Sequence, residues 1–148
     1  MDYTTAAAEL MRIFERARGG NFDMLHRHMK GEGFVLHILS QTQGAALPSQ
    51  LCGATQTSSA RVAATLGSLE QKGYVTRETD PADRRRVLVR LTDEGRRAWE
   101  AMQGEMRGRL EGTLRELGEA DTGELLRLAA RLAEIRNRMS EREDKLSV

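Results

Sequence analysis

The sequence predicts a mainly α-helical chain of 148 residues that carries one small β-hairpin. Three observations predict it. Helix start and stop signals recur along most of the chain, and two short alternating runs, "YVTRET" and "VLVRLT", stand together near its middle. Only 4% of the residues are aromatic while 30% are charged and 39% hydrophobic, the composition of a charge-laced helical protein with a core of Leu, Ala, Met and Val. The length suits one domain, residues 1–148.

The first element is the amphipathic stretch "MDYTTAAAELMRIFERA", with Leu10, Ile13, Phe14 and Ala17 on one stripe. It begins acidic and has no basic leader or apolar h-region. No run in the chain approaches the roughly 20 apolar residues that span a bilayer, so a cytoplasmic protein with no membrane partner is expected. The single Cys52 forbids an intrachain disulfide and suits a reducing compartment.

Next, "GEGFVLHILSQ" places Phe34, Val35, Leu36, Ile38 and Leu39 in a short, largely buried helix, and the Gly- and Ala-rich "TQGAA" breaks it. Pro48 opens a second short helix, "PSQLCGA", where its missing N–H would have been unpaired anyway. Ser58 is a good N-cap for a third, "SARVAATLGSLEQK", which stops at Gly73. The two strand-like runs follow, joined by "DPADRRR", where Asp80 and Pro81 supply turn chemistry. Helix, short helix, turn, helix and hairpin in that order make a winged helix-turn-helix over residues 32–92, flanked by helical regions 1–31 and 93–148.

Charge sharpens this reading. Residues 57–92 hold seven basic and four acidic side chains, a net of +3, while 1–56 sum to zero and 93–148 to −2. Excess positive charge at the centre of the chain would draw a phosphate backbone. Within the third helix, a period of about 100° per residue puts Val62, Leu66 and Leu69 on the core stripe and Ala60, Arg61, Ala64, Gly67 and Ser68 opposite. That outward face is small enough to come close to another surface, and Arg61 near its start can pair with guanine O6 and N7. Thr57, Ser58 and Ser59 at the helix start suit a phosphate.

In the second strand Val87, Val89 and Leu91 share one face, so the hairpin can lie on the core with its tip in solvent. Asp83 and Arg85 are two apart and can point the same way, the carboxylate orienting the guanidinium for a narrow, negative minor groove. Arg84 and Arg86 are placed for phosphates. A solvated charge run is the alternative, but three adjacent like charges repel unless an anion is expected.

Residues 32–97 resemble the winged-helix module of the MarR family of bacterial regulators. The likeness is carried by "SSARVAATLGSLEQKGYVTRETDPADRRRVLVRLTDEG", and the pattern "LE.KG.V.R..DP.DRR...V.LT..G" is long and specific. The resemblance implies a homodimeric, mostly helical transcription factor, a repressor in the reading adopted here, that binds a pseudo-palindromic double-stranded operator and is often released by a small-molecule effector. On the family pattern Asp83 and Arg85 match the wing acid and the minor-groove arginine. Leu47 stands where a capping Ser or Thr is common, "ATQT" replaces the usual turn, and Ala63 and Ala64 occupy positions where Thr and Arg frequently sit, so base specificity does not transfer.

The flanks are expected to make the dimer. Thr92 can cap a long helix whose first turn carries Asp93 and Glu94, and Trp99, Met102, Met106, Leu110, Leu114 and Leu117 continue its apolar stripe. A last helix from about Glu119 repeats the pattern with Leu125, Leu128, Leu132, Ile135 and Met139. Together with Leu10 and Phe14 these form the expected two-fold interface; a bundle within one chain is the alternative. Gly104, Gly108 and Gly112 recur every four residues of the long helix, each about 1 kcal/mol less favourable than alanine. They allow close helix approach, the favoured use, or leave an effector pocket at Gly104 and Gly108.

Other chemistry has little support. His26, His28, His37 and Cys52 do not assemble into a zinc set, since "HRH" on a helix holds its imidazoles roughly 200° apart. Cys52 reads as a packed, inert thiol. Without paired carboxylates, a nucleophile motif or a glycine-rich phosphate loop, no enzyme and no cofactor are expected. The rival readings are a winged-helix interaction protein whose basic hairpin meets an acidic partner, a non-specific DNA binder, and a metal- or thiol-sensing variant of the regulator.

Overall fold

A computed structural model of the chain describes residues 1–16, 31–55 and 57–146. Ala17, His26 and His28 lie outside them. Among the described residues the elements are α1 (Tyr3–Arg16), α2 (Glu32–Gln41), β1 (Ala45–Ala46), α3 (Pro48–Thr55), α4 (Ser59–Gln71), β2 (Val75–Thr79), β3 (Val87–Leu91), α5 (Asp93–Leu117) and α6 (Glu119–Leu146). They form two compact units, Met29–Met102 and Met1–His28 with Gln103–Val148.

The first unit is the winged helix. Its core gathers Val35, Leu36 and Leu39 from α2, Leu51 from α3, Val62, Leu66 and Leu69 from α4, and Val75, Val89 and Trp99. The three α4 residues are the stripe that the helical period selects, and each is at most 3% exposed. The α4 helix starts at Ser58, whose side chain accepts from the Arg61 N–H, and it stops at Gly73. There Gly73 (φ +75) donates to the Glu70 carbonyl at 3.0 Å and Tyr74 to that of Leu69 at 2.9 Å. This is a Schellman stop, which a glycine enters without strain.

Three sequence expectations differ from the fold. "TQGAA" is more than a break: Ala45 and Ala46 form a short strand on the free edge of β3, giving the antiparallel order β1-β3-β2. Val87 shares the face of Val89, yet it is 45% exposed while Val89 is fully buried. The face is right, but the strand begins beyond the reach of the core. Trp99 also has another role than the dimer stripe: it is buried in the winged unit, which runs to Met102 and so past residue 92.

The first turn of α5 is pressed onto the end of α4. Thr92 donates its hydroxyl to the Gly73 carbonyl at 2.6 Å and accepts from the Gly95 N–H at 2.9 Å, the cap that the sequence calls for. A Cβ on Gly95 would stand 2.1 Å from the Tyr74 carbonyl oxygen, so only glycine fits.

In the second unit α1 packs against α6, and Ala6, Ala7, Leu10, Leu114 and Ala129 form the core with Phe14 and Leu126 beside it. Leu10 and Phe14 are therefore used inside the chain. Gly118 joins α5 to α6, and the buried Thr122 hydroxyl donates to the Leu114 carbonyl at 3.0 Å, closing the end of α5. Leu125, Leu128, Leu132 and Met139 stay exposed on α6, and Ile135 is half-buried. A Cβ at Gly104, Gly108 or Gly112 would meet nothing within 4 Å among the described residues, so that face is open in the second unit.

Candidate nucleic-acid interface

Two adjoining features of the winged unit carry the chemistry. The first is the start of α4. Without a capping hydroxyl at Leu47, the preceding helix α3 is capped by Gln50, which accepts from the Leu47 N–H at 2.8 Å. Thr55 turns its hydroxyl back to the Leu51 carbonyl at 2.7 Å and lies 3.0 Å from that of Thr57. The two threonine hydroxyls thus meet just beyond the end of α3. Beyond it Ser58, Ser59, Ala60, Arg61 and Ala64 are exposed, with Thr57 half-buried beside them. Ser68 is turned elsewhere: its hydroxyl is bound to Glu32.

The second feature is the hairpin tip. Asp80 donates its N–H to the Arg86 carbonyl at 2.9 Å, and its carboxylate accepts from Ala82 at 2.9 Å. Asp83 accepts from the Arg85 N–H at 3.0 Å and pairs with the Arg85 Nε at 3.4 Å. The spacing that suggested this pair is realised, with the Arg85 side chain 91% exposed. Arg85 therefore projects into solvent while its base is held.

Local pairing decides where the central positive charge is felt. Arg77 pairs with Glu70 at 3.1 Å, Arg90 with Glu78 at 3.2 Å and Lys72 with Glu32 at 2.6 Å. Among the described residues no ion pair engages Arg61, Arg84 or Arg86. The excess therefore sits at the start of α4 and at the hairpin tip. That arrangement suits a polyanion with two grooves.

Glu32, Ser68 and Lys72 form a tether between α2 and the end of α4 that no local signal announces, because 36 and 40 residues separate the partners. The Lys72 and Ser68 bonds hold the Glu32 carboxyl below its ordinary range, and Glu32 holds the Lys72 ammonium above its own. The tether thus contributes stability above the unfolded glutamate pKa of about 4.3 and loses it as pH falls through the lowered value. On the alkaline side it is lost as pH rises through the raised lysine value. The melting-temperature gap between the native protein and Glu32→Gln should be constant from about pH 5 to pH 9 and close in acid. A gap unchanged by acid would remove the tether.

Among the described residues no group of three or more His, Cys, Asp or Glu is placed to hold a metal ion. The His37 ring lies 5.3 Å from Trp99, centroid to centroid, within the winged unit. Cys52 is half-buried on α3. Among the described residues no helix is long and apolar enough to cross a membrane.

Residues 33–110 match the family model of the winged helix DNA-binding domain. The chain is similar to two HTH-type transcriptional regulators of Bacillus subtilis (strain 168). It is 34% identical to YkoM over 60% of this chain and 61% of YkoM, and 30% identical to YwhA over 69% of this chain and 73% of YwhA. The match thus spans less than two thirds of YkoM. Among solved structures, a mutant MarR from E. coli is 27% identical with a TM-score of 0.60, covering 70% of this chain and 74% of that one.

Proposed function

This chain belongs to the MarR family of winged helix proteins, and from that premise we propose that it regulates transcription by binding double-stranded DNA sequence-specifically as a homodimer. The observation that carries the proposal is the placement of Arg61, Arg84 and Arg86, which no ion pair among the described residues engages, on one unit with the held Arg85 and the bare start of α4. Each α4 enters a major groove, with Arg61 reading guanine and the small side chains allowing close approach. Each hairpin lays Arg85 in the neighbouring minor groove, oriented by Asp83, while Arg84, Arg86 and the hydroxyls of Thr57, Ser58 and Ser59 grip phosphates. Two-fold symmetry sets half-sites roughly 34 Å apart on a pseudo-palindromic operator. Binding there obstructs transcription, so the regulatory sense is repression, in the cytoplasm. The open face at Gly104 and Gly108 is the place for a releasing small molecule.

The exposed apolar side chains of α6 support the dimer. Leu125, Leu128, Leu132 and Met139 are between 37% and 51% exposed, a run of large apolar side chains that a monomer does not leave to water without cause. Selection of bound sequences from random duplexes at about 150 mM salt, where phosphate attraction alone is weakened, tests the function. Enrichment of a two-fold-symmetric motif supports it. No enrichment from a folded dimer would favour non-specific DNA or an acidic protein as the partner of the hairpin.

The arginine roles separate by measurement. Arg61→Ala should weaken binding by about 1–3 kcal/mol and relax sequence preference, whereas Arg84→Ala should weaken all duplexes alike and lower the salt slope by about one. Equal losses of preference in both variants would refute the assignment.

A further inference from the structure

Arg77 sits in the middle of β2, opposite Val89 of β3, yet its guanidinium is bound to α4. Nε lies 3.1 Å from a Glu70 carboxylate oxygen, and Nη2 donates to the Ala63 carbonyl at 3.4 Å. Between these anchors stands Gly67, where even a Cβ would come within 3.9 Å of Nη2. The side chain thus spans two turns of the helix beside the residue that gives it most room. The Ala63 carbonyl also faces the helix's own i+4 N–H, so the guanidinium uses its second lone pair.

The first half of α4 has less support than its buried stripe suggests. A groove of about 380 Å³ opens between α3 and α4, lined by Pro48, Cys52, Val62, Ala63 and Leu66, with Arg77 the one charged lining residue among those described. Close packing is what denies a helix alternative tilts, and beside this groove packing is incomplete.

We infer that Arg77 is a positioning residue, a strut that ties the hairpin to α4 and fixes the angle at which helix and wing are presented together. The inference rests on the DNA-binding reading for its consequence, though not for its geometry. An ion pair with side chains 37% and 49% exposed adds little to global stability. Its effect falls on placement, to which a recognition site is sensitive at about 0.5 Å and 10–20°. The pairing with Glu70 also turns the guanidinium away from the phosphate role open to Arg84.

The test uses the full-length protein with Arg77→Ala, Arg77→Lys and Glu70→Ala. Without DNA, amide hydrogen exchange should rise roughly 3- to 10-fold in the first turns of α4 and in β2 for both alanine variants, with the melting temperature within about 2 °C of the native value. With DNA, Arg77→Ala should bind the duplex selected by the native protein about 5- to 10-fold more weakly, bind random duplex nearly unchanged, and keep the native salt slope. Arg77→Lys, which retains the ion pair but not the guanidinium fork, should fall between, and the double alanine variant should be no worse than Arg77→Ala. A salt slope shallower by about one would make Arg77 a phosphate contact, and unchanged exchange would remove the strut. Should the native protein show no sequence preference, the sequence-specific reading fails, and the exchange experiment alone decides the strut.

Discussion

Gly95→Ala is expected to destabilise the winged unit by about 3 kcal/mol, lowering its melting temperature by on the order of 10 °C. A Cβ there would stand 2.1 Å from the Tyr74 carbonyl oxygen and 2.8 Å from the Leu91 side chain. The first of these neighbours is backbone and cannot rotate away, so α5 must lift. Lifting strains two contacts together, the Thr92 hydroxyl bond to the Gly73 carbonyl and the Thr92 N–H bond to the Tyr74 carbonyl at 3.0 Å. It also pulls Trp99, 4% exposed, from the core. The same chemical change at Gly108 is the control. A Cβ there meets nothing within 4 Å, so the better helix propensity of alanine should raise stability by up to about 1 kcal/mol. A fall at Gly108 would show that a second subunit packs on the glycine face. A Gly95→Ala melting temperature within about 2 °C of the native value would contradict the contact itself.

That contact illustrates which parts of the molecule can be read from sequence. The Ser58 cap, the Gly73 stop, the Thr92 cap and the Asp83–Arg85 pair join residues two to four apart, or need a special φ, and local chemistry suffices to find them. The core stripe of α4 follows from its period. What local pattern cannot supply is the partner. Helical spacing puts Trp99 on an apolar face without saying that the face belongs to the winged unit. It sets Ser68 on the outer face of α4 without revealing Glu32, 36 residues away. Ala45 and Ala46 carry no alternation, since their strand exists only because β3 offers an edge. The Arg77 strut joins a strand to a helix across a turn, and neither sequence run hints at it.

Replacing Leu128 and Leu132 together with glutamate should convert a dimer to a monomer by sedimentation, and weaken operator binding by about 10²-fold or more. The size of the effect comes from linkage. A dimer engages its second half-site intramolecularly, so losing the link leaves each winged unit with its single-site affinity. The helix itself argues for this use of the residues. Leu125, Leu128, Leu132, Ile135 and Met139 are spaced three, four, three and four apart, the repeat that keeps one seam on a partner helix. Thr122, Leu126, Ala129 and Ala133 form a second face, buried or half-buried, and Leu126 and Ala129 join the cluster that α1 shares. One face of α6 is therefore satisfied by its own chain, whereas the other is apolar, regular and uncovered. Because the two leucines are 43% and 51% exposed, the charges should leave the chain folded and its binding to an isolated half-site unchanged. Glutamate at Leu126, by contrast, would bury a charge and unfold the α1–α6 pairing. If the double variant remained dimeric, the seam would lie elsewhere and the glycine face of α5 would be the next surface to charge.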